Sequence, residues 1–230
     1  MSKKFDQAKV EKALHQAAAS AVSGPPEEQS GRFTGGSDVV QTRRERLRRV
    51  VLVCCLFARN LAYHRAGHES PMGWKDDPLH ATADFWRTAN ANFVDICILE
   101  WCKLFADDNG KHHWKNIISD PDRFEGMLFE TLICDDNEFR AFQLRMRKYR
   151  DRFIAHLDSD LTMQIPVLDR AKASVEFYHR YVVTTEARPG ELIGLPDTAE
   201  KFRTGYTKCF DEATSVYSAT FNPQFEDQSP

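Results

Sequence analysis

The chain has 230 residues, 42% of them hydrophobic and 28% charged, enough for one full domain with extensions and an ordinary buried core. Its formal charge of −3 excludes a protein that binds polyanions through overall charge alone. The longest unbroken apolar run, Val50 to Ala58, is nine residues, far short of the roughly 20 that a membrane-spanning helix needs.

In chain order, nothing reads as a strand; helical patterns alternate with turn residues. Residues 4–22 form an Ala-rich amphipathic pattern and 23–37 a Gly-, Ser- and Pro-containing linker, so 1–37 are expected to be a helical arm with a flexible linker. A long helix is predicted over 38–65, with the stripe Leu47, Val50/Val51, Cys54, Phe57/Ala58 and Leu61. The next is predicted from about 78 or 81 to 106, with the stripe Trp86, Ala89, Phe93, Ile96/Cys97, Trp101 and Leu104. Asp107-Asp108-Asn109-Gly110 ends it, with Gly110 as an expected left-handed stop. Asp120-Pro121 starts a short helix over 121–133.

Phe142, Met146, Tyr149 and Phe153 mark the inner face of a helix over 138–156. Leu168, Ala171, Val175, Tyr178 and Val182 do the same over 167–187. A last helix begins at Asp197, with Glu200 reaching back as a capping box, and carries Phe202, Tyr206, Cys209/Phe210, Ala213 and Tyr217. The polar tail 219–230 is expected to be disordered. Four one-sided helices (38–65, 81–106, 138–156 and 167–187) bury their stripes together only as a bundle. The predicted fold is therefore all-α: an up-and-down four-helix bundle domain over 38–218, with extra N- and C-terminal helices.

Six cysteines, with no Cys-x-x-Cys pair, fall mostly in apolar helical runs and read as buried small hydrophobes in a reducing compartment. The opening Met1 to Asp6 lacks the apolar core of a signal peptide, so a cytoplasmic location is expected. Positive charge is concentrated in two places. Residues 41–50 and 138–156 each carry a net charge of +4, leaving −11 over the remainder. Arg43 and Arg46 in the first segment, and Arg145 and Lys148 in the second, are candidate RNA contacts.

The second basic segment ends in Tyr149-Arg150-Asp151-Arg152-Phe153-Ile154-Ala155-His156-Leu157-Asp158. Histidine titrates near physiological pH and can move protons, while the arginine fork matches phosphate oxygens. On an ideal helix Arg152 and His156 lie about 40° apart with roughly 6 Å of rise. Arg150 and His156 point about 120° apart with about 9 Å of rise, so they meet only where the helix ends or where two copies face each other. A structural reading stands beside this: His156 as a half-buried or interface histidine bonded to Asp158.

Arg150-Asp151-(x)4-His156 resembles the Arg-(four to six residues)-His signature of the HEPN superfamily. The longer wording, preceded by Trp101-Cys102-x-Leu104-Phe105, looks most like its abortive-infection-associated branch, and the likeness is best over 81–186. The resemblance implies a helical bundle, a homodimer, and a metal-independent endoribonuclease in phage defence or a toxin–antitoxin system, with RNA and an antitoxin or regulatory protein as partners. His156 would be the general base or acid, Arg150 the stabiliser of the phosphorane-like transition state, and Asp151 its orienting partner. Arg152 and Asp158 are auxiliary candidates. The alternative is a non-catalytic dimerisation or nucleotide-binding module that regulates a partner.

Arg59-Asn60-Leu61-Ala62-Tyr63-His64 has the same spacing and ranks second as a site. It is either an independent site, half of a composite one, or a plain helix-end histidine. His112-His113 near Asp107, Asp108 and Cys102 lacks ligand spacing, so no metal and no cofactor is expected.

Overall fold

The computed structural model describes residues 42–69, 81–154 and 165–221. The N-terminal arm and linker over 1–37 lie outside the described residues, as do His156, Asp158 and the tail beyond Phe221. The described residues are all helical or loop. In order they form α1 (Arg43–Glu69), α2 (Ala81–Phe105), α3 (Pro121–Leu132), α4 (Asp136–Tyr149), α5 (Asp169–Tyr181) and α6 (Ala199–Phe221). A 3₁₀ turn spans Trp114–Asn116, and π-helical turns follow α4 (Arg150–Ile154) and α5 (Val182–Glu186). None of these helices is long and apolar enough to cross a membrane.

The first helix starts later than its apolar periodicity predicts, at Arg43. Thr42 and Glu45 explain why: Glu45 N–H donates to Thr42 Oγ1 (3.3 Å) and Thr42 N–H to Glu45 Oε2 (2.8 Å), a reciprocal capping box. The helix then continues past Arg65 to Glu69. Its buried positions run from Leu47 to Gly67 and occupy about 260° of the circumference at ~100° per residue. A helix covered on that many sides must be central. It packs on α2 and α6 along two flanks and on α5 along a third. The C-terminal helix is thus a full member of the bundle, not an addition to it. Burying Leu47, Val50, Phe57 and Leu61, each at most 1% exposed, contributes about 1.5–3 kcal/mol apiece.

The far side of the core is aromatic. Trp101 packs edge-on to Phe142 (5.0 Å between centroids) and donates its indole N–H to Ser174 Oγ at 2.9 Å. Phe124 gathers Trp114, Phe177, Tyr178 and Tyr181 around it, all within 5.2 Å. Phe124 comes from α3, whose start follows its sequence: Asp120 Oδ1 accepts from Arg123 N–H and Pro121 opens the first turn.

Several ends differ from expectation. Gly110 is not left-handed: among the described residues the positive-φ glycines are Gly190 and Gly194. A Cβ there would stand 2.8 Å from the Asp107 carbonyl oxygen, so close backbone approach is what requires glycine. The left-handed stop instead falls on Ile133 (φ 49°) after α3. Cys134 N–H bonds back to Phe129 O and Ile133 N–H to Glu130 O, a Schellman pattern. The last helix is capped by Thr198, whose Oγ1 accepts from Lys201 N–H, while Asp197 pairs with the Lys201 ammonium. That helix runs on to Phe221, beyond the predicted boundary at residue 218.

Glu186, in the second π turn, is 5% exposed and ties three elements together. Its carboxylate accepts from Ser119 N–H and Oγ–H and from the Arg43 guanidinium. A buried carboxylate with three charge-assisted or hydroxyl donors is stable where an unpaired one would not be.

Candidate functional site: a basic groove at the end of the motif helix

The motif helix starts as its sequence dictates. Asp135 Oδ1 accepts from Glu138 N–H, and Glu138 Oε2 accepts from Asp135 N–H. Phe142, Met146 and Tyr149 are buried on one side. The α-helix ends at Tyr149, and Arg150–Ile154 form the π turn. The ideal-wheel angles expected for Arg150 and Arg152 therefore do not carry through, because an i→i+5 turn shifts the phase of every following side chain.

Arg150 points to the end of α2. Its Nη1 donates to Asp107 Oδ1 at 2.5 Å and its Nε to Asp151 Oδ1 at 2.8 Å. Burial works against the charge, but these two carboxylates outweigh it and raise the guanidinium above its ordinary pKa. Beneath this pair, burial pushes the Cys102 thiol up to about 12 despite Arg150 nearby, so it is not a thiolate nucleophile. Tyr149, on the other flank, donates its hydroxyl to Asp95 Oδ1 at 3.0 Å. Burial raises the Asp95 carboxyl above the ordinary range, and the tyrosine bond only partly offsets this.

Arg145, Lys148, Arg152 and Arg170 line a groove of about 830 Å³, together with Phe142, Tyr149, Phe153 and the strap Ile165–Val167. The guanidinium carbons of Arg145 and Arg170 stand 5.7 and 5.9 Å from the Phe142 ring centroid, fixing both cations over an aromatic face. Asp169 also lines the groove, and its charge is engaged by Arg65. The groove is thus strongly basic in a chain of net negative charge.

Of the expected RNA contacts, Arg145 and Lys148 are in this groove and Arg43 and Arg46 are elsewhere. Arg43 holds the Glu186 side chain and carbonyl, and Arg46 Nη1 donates to Asn116 O at 3.4 Å. With Arg44 and Arg48 bound to the Glu191 and Ile193 carbonyls, most of the first basic segment serves as struts for the 186–193 loop. Arg152, expected as auxiliary, lines the groove, while His156 and Asp158 lie outside the described residues.

The second-ranked constellation is split. Arg59 is exposed. Asn60 is buried and folds its amide back onto Leu56 O at 2.7 Å. His64 faces α2, its Nδ1 2.7 Å from Asn90 Oδ1. Among the described residues no cluster of three or more His, Cys, Asp or Glu could hold a metal ion. His113 is fully buried, with Nδ1 accepting from Lys115 N–H and Nε2 3.3 Å from Asp108 Oδ1. All six cysteines are free.

Arg170 is the groove residue that sequence reasoning missed. A cation in the first turn of a helix opposes the macrodipole, and that local misfit was the available signal. Asp107 was read as part of a helix stop and as a neighbour of His112-His113, not as a partner of Arg150; that pairing joins residues 43 positions apart. Compared with family models, curated proteins and solved structures, the chain matches none of them.

Proposed function

We propose that the chain is a metal-independent endoribonuclease of HEPN type that draws one RNA strand along the groove beside its motif. The observation that carries the reading is the convergence of Arg145, Lys148, Arg152 and Arg170 where the motif helix ends. Four cations lining one groove suit a phosphate backbone, and that contact does not depend on base identity. Arg152 then supplies the phosphate contact nearest the motif, and Arg150 sets the turn from which the chain continues to His156. His156 takes the proton of a ribose 2′-OH or returns one to the leaving oxygen, giving a 2′,3′-cyclic phosphate and a 5′-hydroxyl. A homodimer that pairs two motifs, held by an antitoxin or other regulator, belongs to the same proposal and rests on the resemblance alone.

A second reading is favoured by Arg150 itself. Its charge is taken up by two carboxylates of its own chain, as expected of a structural clamp in a non-catalytic module that binds RNA or a nucleotide and regulates a partner.

The test is RNA binding by a variant with Arg145, Lys148 and Arg170 changed to Gln. Affinity for single-stranded RNA should fall, and the slope of log K against log salt should flatten by about 2, at roughly 0.7 per phosphate contact. An unchanged slope would remove the groove from the account.

A further inference from the structure

His64 lines a second groove, of about 380 Å³, on α1. Ile165, Pro166, Val167 and Asp169 border this groove and the basic one alike, so a single strap separates two connected surfaces. His64 is half-buried and positioned: Asn90 Oδ1 can only accept, so at 2.7 Å it fixes the proton on Nδ1 and leaves Nε2 with the lone pair. Asn90 is itself 1% exposed, and Gly67, one turn beyond His64, leaves the space that its amide occupies. Burial lowers the His64 pKa, the Asn90 bond opposing it, so the imidazole is neutral at physiological pH and able to accept a proton.

On the reading of the basic groove as an RNA site, we propose that His64 is a second proton-transfer residue of the nuclease, acting on a strand that crosses the strap between the two grooves. Its Nε2 accepts the 2′-OH proton as the 2′-oxygen bonds to the adjacent phosphorus. The P–O5′ bond breaks, its electron pair stays on O5′, and O5′ takes the proton that the proposed chemistry has His156 return, His156 regaining one from solvent. His64 then returns its proton to solvent, so the net change is one diester converted to a cyclic diester and a free 5′-hydroxyl. The Arg59-to-His64 spacing plays no part in this, because Arg59 is exposed and Asn60 is spent on Leu56.

Two measurements test it. With wild-type protein cutting a single-stranded RNA in EDTA, His64→Gln should slow the cutting about 100-fold or more, while the Kd for the same oligonucleotide carrying 2′-deoxy sugars stays within twofold. In the folded wild type, NMR of the imidazoles should show the His64 resonances moving when that 2′-deoxy oligonucleotide binds. Undiminished cutting by His64→Gln, or an unmoved His64 signal on saturation, would overturn the proposal and leave the nuclease reading intact. No cutting by the wild type, with binding retained, would overturn both.

Discussion

Arg150 and Asp107 meet at 2.5 Å, joining the first residue of the motif to the turn that closes α2. The arginine side chain is 22% exposed and that of Asp107 37%, so removing either partner leaves a partly desolvated charge without its counter-ion. Asp107→Asn should lower stability by about 1–2 kcal/mol, and so should Arg150→Ala. In a double-mutant cycle the combined loss should be smaller than the sum, by about 1 kcal/mol. Additive losses by chemical denaturation would mean that the two side chains act independently.

Gly67 sits where α1, α2 and α6 come together. A Cβ there would lie 2.6 Å from Tyr217 Oη and 2.7 Å from Asn90 Nδ2, and both of those side chains are buried. Alanine is normally favoured over glycine inside a helix by about 1 kcal/mol. Gly67→Ala should nevertheless destabilise, by about 2 kcal/mol, because Tyr217 must move out of its packing against Trp86. A rise in melting temperature would show that α6 yields without cost.

Ile133 is left-handed, β-branched and 91% exposed, a combination with backbone strain and no packing return. Ile133→Gly should stabilise the fold by about 1 kcal/mol and raise the melting temperature by about 2–4 °C. A scanning calorimetry trace with no increase would place a compensating role on the isoleucine side chain.

Buried histidines set the acid limit. His113 and His179 are both fully buried, and burial lowers their pKa values below 6.5 against the opposing backbone bonds. Each is neutral when folded and binds a proton more readily when unfolded. Their contribution is therefore complete above about pH 6.5 and is lost as pH falls through the lowered folded values. Stability should begin to decline below pH 6.5, before most carboxylates protonate. His179 Nε2 donates to Pro196 O and the ring stacks on Phe202 at 4.2 Å, so His179→Phe keeps the stack, loses one bond and should flatten the slope between pH 6.5 and 5. Urea midpoints across that range would detect it, and an unchanged slope would assign the acid sensitivity elsewhere.

The core was legible where periodicity carried it. Leu47, Val50, Cys54, Leu61, Phe142, Met146, Ala171, Val175 and Tyr178 are all buried at the expected spacing. Ile96 is 36% exposed while its neighbour Cys97 is buried, a choice that the stripe left open. Caps at Asp120 and Asp135 were legible because their partners lie three residues away. The Thr42–Glu45 box was equally local, but Val39 and Val40 ahead of it extended the apolar pattern beyond the true start. The π turns had no such signal, since one i→i+5 turn leaves no period in the sequence. Of the site, the cations on α4 were visible and Arg170 was not, because it reaches the groove from another helix.

The central claim is that an RNA strand held in the basic groove is cut by motif chemistry without a metal. The most direct measurement incubates end-labelled single-stranded RNA with wild-type protein and with His156→Ala in EDTA, both checked for equal melting temperature. Cutting by the wild type to 2′,3′-cyclic phosphate ends, with none by His156→Ala despite equal RNA affinity, is the predicted result. Intact RNA with the wild type at saturating protein, or equal cutting by both, would contradict it.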